Sequence, residues 1–190
     1  MGVFAVLVNG SMLVWAAAEV VMQRRQYRMG GKAVRTEWRS LGVVVGAVLV
    51  GEVLAVVAGS TLHGAGYGEE APALSVALLV IWAGIALRLW AIHVLGRFFR
   101  GVVHVQADHQ VVTAGPYRVL RHPSYAGAMV AVLGLGLAFG NVVSLLALVG
   151  CTLLGVLYRI RVEEGVLTSA LGQDYADYAA RTSRLLPGVW

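Results

Sequence analysis

The chain has 190 residues, of which 58% are hydrophobic and only 13% are charged, and its mean hydropathy is +0.75. Soluble globular domains carry about 25% charged residues, so this composition excludes an ordinary soluble domain and indicates an integral membrane protein. We attribute the net charge of +5 to loop topology rather than to nucleic-acid binding. The single cysteine, Cys151, excludes an internal disulfide and a cysteine zinc cluster, and its apolar surroundings predict a helix-packing residue.

Five apolar runs follow one another along the chain, and a helix that spans a membrane needs about 20 mainly apolar residues. The runs cover residues 3–21, 41–62, 73–95, 126–139 and 142–158. The last two are joined by only two residues, which predicts a helical hairpin with short arms. We therefore expect an all-α integral membrane fold with about five transmembrane helices. The first run lacks the flanks of a signal peptide, so no cleavable one is expected.

The basic residues predict the orientation of these helices. Six lie between the first two runs, four between the third and fourth, and four after the fifth, while the loop between the second and third runs has none. By the positive-inside rule, the side with these fourteen of the fifteen Lys and Arg residues is cytoplasmic. We expect a multi-pass protein of the cell membrane with its N-terminus outside and its C-terminus inside. The cytoplasmic segments are then 23–40, 96–125 and 159–190, the last of which includes a predicted amphipathic helix over residues 162–181.

Three ionisable residues, Glu19, Glu52 and Arg88, lie within the apolar runs. Intramembrane charges indicate functional sites by default. Here a structural ion pair between Arg88 and one of the two glutamates is the favoured interpretation. The five histidines lack the close spacing and carboxylate support of metal ligands, so no metal site is expected.

Residues 115–127 read G-P-Y-R-V-L-R-H-P-S-Y-A-G, a cluster of arginine, histidine and tyrosine between two apolar runs. Pro116 and Pro123 restrict the local backbone and predict a shaped loop that leads into a helix. The cluster indicates either a binding site or an ordinary positive-inside loop. Where the fifth run ends, Arg159 and Glu163 lie four residues apart and share one helix face. They form either a surface ion pair or a recognition device, with the carboxylate for a polar or cationic cofactor and the guanidinium for an anionic head group.

The motif G-P-Y-R-x-x-R-H-P-x-Y-x-G, with the apolar hairpin and the pair Glu163-Glu164 that follow it, resembles the isoprenylcysteine carboxyl methyltransferase family. L-G-R-F-F at 95–99, H-Q-V-V-T at 109–113 and L-G-x-x-Y-x-x-Y at 171–178 are similar to the same family. That family belongs to a wider group of membrane methyltransferases that includes the phospholipid N-methyltransferases. The resemblance implies S-adenosylmethionine-dependent methyl transfer at the cytoplasmic face.

The resemblance also implies an organisation of the chain and roles for its residues. In a single membrane domain, residues 1–95 supply three helices, and residues 96–190 form a methyltransferase-like catalytic half that covers the cofactor. Arg159 is assigned to the methyl acceptor as the catalytic residue. The Gly134-Leu135-Gly136 segment is similar to a G-x-G of the phospholipid enzymes, with close helix packing as the alternative. The cofactor contacts are assigned to His109, Gln110, Val111, Val112, Tyr117, His122, Pro123, Ser124, Tyr125 and Glu163.

The sequence leaves the methyl acceptor open. The resemblance favours the carboxylate of a lipophilic, isoprenylcysteine-like or prenylated acceptor, which needs no strong base because it is already ionised at neutral pH. A lipophilic phenol would need deprotonation, in which His122 or Tyr125 would assist, and a phospholipid amine is a further alternative. A scaffold or transporter that binds anionic lipids through the arginine loop is the non-enzymatic alternative. Membrane lipid is an expected partner in each case, and nucleic acid is not.

Overall fold

The computed structural model describes residues 2–29, 33–66, 71–106 and 108–189. Helices and two short strands make up most of these residues. In chain order they are α1 (Gly2–Met29), β1 (Ala33–Glu37), α2 (Arg39–Thr61), α3 (Ala71–Leu95), β2 (Val103–Gln106), α4 (Pro123–Ala138), α5 (Val142–Leu171) and α6 (Gln173–Arg181). Short 3₁₀ turns lie between them at His63–Ala65, Gly96–Phe98 and Gly115–Arg118.

Among the described residues, four helices are long and apolar enough to cross a membrane: α1, α2, α3 and α5. Helix α4 is apolar but has only 16 residues. At 1.5 Å per residue it is about 24 Å long, which is less than the roughly 30 Å of hydrocarbon in a bilayer. The predicted helical membrane architecture is confirmed, as is the short first arm of the hairpin. The count of five spans stays a prediction.

Helix α5 is longer than the sequence indicated. We expected the apolar run to end at residue 158 and an amphipathic helix to cover residues 162–181. Instead, α5 runs unbroken for 30 residues and ends at Leu171. The chain then turns at Gly172, whose φ of +57° lies in the left-handed region that glycine adopts at little cost. The predicted boundaries were wrong because residues 159–164 contain neither glycine nor proline to stop the helix.

Helices α3 and α4 touch through their backbones at glycine positions. A Cβ atom added to Gly84 would lie 2.3 Å from the backbone nitrogen of Ala131, and one added to Gly134 would lie 2.6 Å from that of Ile81. A Cβ atom on Gly136 would lie 2.6 Å from a side chain of α5. Small residues allow this close approach of helices in lipid. The geometry therefore supports close packing as the role of the Gly134-Leu135-Gly136 segment.

Helices α2 and α5 form a second close pair. A Cβ atom on Gly155 would lie 2.8 Å from the Cβ of Ala47, and one on Gly51 would lie 3.1 Å from the Cβ of Cys151. The hydroxyl of Ser144 donates a 2.6 Å hydrogen bond to a backbone oxygen of α2. Cys151 is a free thiol, and its contact with Gly51 agrees with the predicted packing role.

The two ends of the helix bundle are fixed by different contacts. At one end β1 pairs antiparallel with β2, with Glu37 opposite Val103, and so joins the segment after α1 to the segment after α3. At the other end the Asn141 side chain caps α5 and donates a 2.9 Å hydrogen bond to the backbone oxygen of Leu62. The sheet was not predicted, because strands of four and five residues are too short to stand out from the pattern of their neighbours.

Candidate functional site

A cavity lies where the segment after α3, the first turn of α4, the C-terminal third of α5 and helix α6 meet. The space between its walls is about 770 Å³, a volume that includes open solvent. Nine of the ten residues assigned to the cofactor line its wall: His109, Gln110, Val111, Val112, Tyr117, His122, Ser124, Tyr125 and Glu163. The tenth, Pro123, is fully buried as the first residue of α4.

The two prolines of the loop shape the chain as expected. Pro116 lies in the 3₁₀ turn Gly115–Arg118. Pro123 begins α4, at a position where the N–H group that proline lacks would have no acceptor within the helix. His122 precedes it with non-helical backbone angles, and its side chain is buried in the cavity wall. The loop therefore presents the ring of His122 at the start of a fixed helix.

Tyr125 links the two residues that the sequence placed on one face of α5. Its hydroxyl donates a 2.6 Å hydrogen bond to Glu163 Oε2 and accepts one of 2.6 Å from Arg159 Nε. Arg159 Nη2 also donates a 2.8 Å hydrogen bond to the backbone oxygen of Gly101. Glu163 faces the cavity, whereas Arg159 is 4% exposed and lies behind Tyr125, outside the cavity wall.

The neighbouring carboxylate, Glu164, has a different role. It accepts hydrogen bonds of 2.9 Å from Arg121 Nε and 2.9 Å from Arg184 Nε, and lies 3.3 Å from His122 Nε2. The other side of the Arg121 guanidinium donates to the backbone oxygen of Thr182. Glu164 thus ties the loop of residues 115–127 to the chain after α6.

Helix α6 covers the cavity with two tyrosines. Tyr175 and Tyr178 are each 5% exposed, and the Tyr178 hydroxyl donates a 2.9 Å hydrogen bond to the backbone oxygen of Tyr117. Burial raises the pKa of Tyr178 to about 12, and it raises the pKa values of Tyr117 and Tyr175 above their ordinary range. All three hydroxyls therefore keep their protons at neutral pH and do not act as bases.

One further residue of the wall, Arg100, was not singled out from the sequence. Arg100 is 8% exposed, and its Nε and Nη1 atoms have no hydrogen-bond partner among the described residues. The buried hydroxyl of Tyr175 likewise has none. In the sequence, Arg100 is one of the basic residues that predict the topology. Its position directly after the segment 95–99 was the signal available, and it did not distinguish Arg100 from its neighbour Arg97.

The predicted intramembrane ion pair is present. The guanidinium of Arg88, on α3, donates two hydrogen bonds to the Glu19 carboxylate on α1. It also donates a 3.2 Å hydrogen bond to the backbone oxygen of Ser124, in the first turn of α4. Glu19 is therefore the partner of Arg88, while Glu52 lies on an exposed face of α2. Within the part of the chain that the structure describes, no group of three or more potential metal ligands is found.

Comparisons with known proteins give a family and several relatives. Residues 72–174 match the family model described as phospholipid methyltransferase. The chain is 32% identical over 114 residues to protein-S-isoprenylcysteine O-methyltransferase B of Arabidopsis thaliana, which covers 59% of this chain and 58% of that protein. It is 31% identical over 116 residues to a probable protein-S-isoprenylcysteine O-methyltransferase of Oryza sativa subsp. indica, at 60% and 61% coverage. The chain thus spans less than two thirds of the length of either relative.

A solved structure is also similar. The structure of the eukaryotic intramembrane Ras methyltransferase ICMT (isoprenylcysteine carboxyl methyltransferase) superposes with a TM-score of 0.56 at 27% identity. The superposition covers 76% of this chain and 52% of that one. These similarities confirm the resemblance that the motifs indicated.

Proposed function

The chain belongs to the phospholipid methyltransferase family, and from that premise we propose that it transfers a methyl group from S-adenosylmethionine to the carboxylate of a lipophilic, isoprenylcysteine-like acceptor. The observation that carries the proposal is the cavity, whose wall holds nine of the ten residues assigned to the cofactor. The relatives named as isoprenylcysteine O-methyltransferases support the choice of acceptor.

The chemistry of the cavity wall fits this cofactor. S-adenosylmethionine carries a sulfonium and an ammonium as well as a carboxylate, so its site needs both signs of charge. The lining residues include Glu163, Arg100 and several aromatic residues, Phe98 among them. When bound, the cofactor supplies an electrophilic methyl group on sulfur.

The residues of the chain act by binding, orientation and exclusion of water. Glu163, held by the Tyr125 hydroxyl, attracts the positive part of the cofactor. Tyr175 and Tyr178 lie buried in the cavity wall and limit the access of water to it. An acceptor carboxylate needs no deprotonation, so the rate comes from alignment with the methyl–sulfur bond and from a dry site. The role of Arg159 in orienting the acceptor stays part of the proposal.

Phospholipid N-methylation is the second candidate, favoured by the description of the matched family. A panel with a labelled methyl donor separates the candidates: a farnesylated cysteine analogue, a phosphatidylethanolamine and an alkylresorcinol. Methylation of the farnesylated acid above the other two is the result expected from the proposal. Preference for the phosphatidylethanolamine would replace it with the second candidate.

Glu163→Gln is expected to weaken binding of S-adenosylhomocysteine about tenfold or more, since a hydrogen bond to a charged group contributes about 1.5–3 kcal/mol. Calorimetric titration of the detergent-purified protein measures it. Glu52→Gln is the matched control, because it removes an exposed carboxylate on α2 that does not line the cavity. This variant should leave the affinity unchanged. A wild type that does not bind S-adenosylhomocysteine would overturn the proposed function. Unchanged affinity in both Glu163→Gln and His122→Ala would overturn the assignment of these residues.

The orientation with the C-terminus and the cavity cytoplasmic is part of the same proposal. It is supported by the fourteen basic residues on one side and by the β1–β2 pairing, which joins two of the segments expected there. Single cysteines at the exposed positions His63 and Val189, in a Cys151→Ala background, should react with an impermeant thiol reagent from opposite sides. Labelling from the same side would contradict the topology.

A further inference from the structure

The cavity wall contains a buried arginine, two of whose side-chain nitrogens have no hydrogen-bond partner among the described residues. Arg100 follows the 3₁₀ turn Gly96–Phe98, is 8% exposed, and lines the cavity. Its Nε and Nη1 atoms are sealed from solvent and have no hydrogen-bond acceptor in the described part of the chain. Its guanidinium carbon lies 4.0 Å from the centre of the Tyr27 ring, a contact that offers no hydrogen bond.

The other arginines near the cavity are already engaged. Arg121 is bonded to Glu164 and to backbone oxygens after α6. Arg159 is bonded to Tyr125 and to the backbone of Gly101. A buried charge without a partner is costly, and a ligand that supplies the missing partner recovers that cost. Arg100 is therefore the guanidinium of this site that an anion would stabilise most.

We propose that Arg100 binds a carboxylate in the cavity and thereby fixes the anionic end of a ligand whose positive part faces Glu163. A guanidinium fork matches a carboxylate in shape and charge. Tyr175, whose buried hydroxyl has no hydrogen-bond partner among the described residues, lines the same cavity and would add a second donor. The inference rests on the proposed function, under which the carboxylate has two sources: the amino-acid end of the cofactor and the acceptor.

The test compares Arg100→Gln with Arg97→Gln. Arg97 is the matched control, because it lies in the same segment but is exposed and paired with Asp108. Three quantities are measured: the affinity for S-adenosylhomocysteine, the affinity for its decarboxylated analogue, and the KM for a farnesylated cysteine analogue. The thermal midpoint of the ligand-free protein reports on folding, and Arg100→Lys, which keeps the charge, serves as a second variant.

If the carboxylate belongs to the cofactor, Arg100→Gln weakens the binding of S-adenosylhomocysteine about tenfold or more, as expected for one charge-assisted hydrogen bond. The affinity for the decarboxylated analogue then stays within about twofold of the wild-type value. If it belongs to the acceptor, both affinities stay and the KM rises about tenfold or more. In either case the thermal midpoint of ligand-free Arg100→Gln is unchanged or higher, because an unpaired charge has been removed. Arg100→Lys shows a smaller change in affinity or KM than Arg100→Gln. Arg97→Gln changes none of these quantities.

Two results would overturn the inference while the proposed function stands. One is a wild type that binds S-adenosylhomocysteine while Arg100→Gln leaves all three quantities within about twofold. The other is an equal loss for S-adenosylhomocysteine and its decarboxylated analogue with a lower midpoint, which would make Arg100 a purely structural cation. A wild type that does not bind S-adenosylhomocysteine would remove the proposed function and this inference with it.

Discussion

Replacement of Glu164 by glutamine is expected to lower the free energy of unfolding by about 3 kcal/mol. Glu164 is 16% exposed and compensates the charges of Arg121 and Arg184. The neutral amide removes the carboxylate charge that both guanidinium groups contact, and breaking a buried ion pair from one side costs about 3–5 kcal/mol, somewhat less where a polar atom remains. Denaturant or thermal unfolding in detergent, followed by tryptophan fluorescence, measures the loss.

The loss should be concentrated at the C-terminal end of the chain. Because Glu164 ties the loop before α4 to the chain after α6, we expect faster proteolytic cleavage after residue 181 in Glu164→Gln. Asp174→Asn removes an exposed carboxylate from the same part of the chain and is the matched control for both measurements. Equal stability of the two variants would contradict the anchoring role of Glu164.

Replacement of Arg159 by lysine is expected to reduce turnover by about tenfold to a hundredfold while S-adenosylhomocysteine affinity stays within about threefold. Lysine keeps the charge but lacks the planar fork, so it cannot reproduce the contacts with Tyr125 and Gly101 together. The lost turnover corresponds to about 1.5–3 kcal/mol, the contribution of a hydrogen bond to a charged group. The bond from Tyr125 to Glu163 does not depend on the fork, so the cofactor contact should persist.

This prediction is measured with a labelled methyl donor for turnover and by calorimetry for affinity. Arg161→Lys is the control, since Arg161 is exposed two residues further along α5, and it should change neither quantity. Equal losses of turnover and affinity in Arg159→Lys would show that Arg159 acts by holding Tyr125 and Glu163 in place. The division of roles between Arg159 and Glu163 would then be wrong.

The part of the site that the sequence predicted well is local in the chain. The loop of residues 115–127 has its shape fixed by Pro116 and Pro123, and a proline restricts the backbone whatever it packs against. The hairpin after it was predicted from two apolar runs and a two-residue connection, and α4 ends at Ala138 as the pattern indicated.

The features that were missed depend on contacts between distant segments. The strands β1 and β2 are stabilised by each other across about 70 residues of chain, and each has only four or five residues of its own. The end of α5 was misplaced because Gly172, not the charged residues after the membrane run, interrupts the helix. Arg100 and Arg97 look equivalent in the sequence, and only the fold buries one and exposes the other.

The ion pair between Glu19 and Arg88 shows that the region matched by the family model and the region that shapes the cavity differ in length. The family match begins at residue 72, so it includes Arg88 but not Glu19. A chain reduced to the matched residues would hold the Arg88 guanidinium, 13% exposed, in an apolar layer without its carboxylate. That same guanidinium supports the backbone of Ser124 at the cavity. The unit that must fold together to shape the cavity is therefore longer than the region that identifies the family, and helix α1 belongs to it.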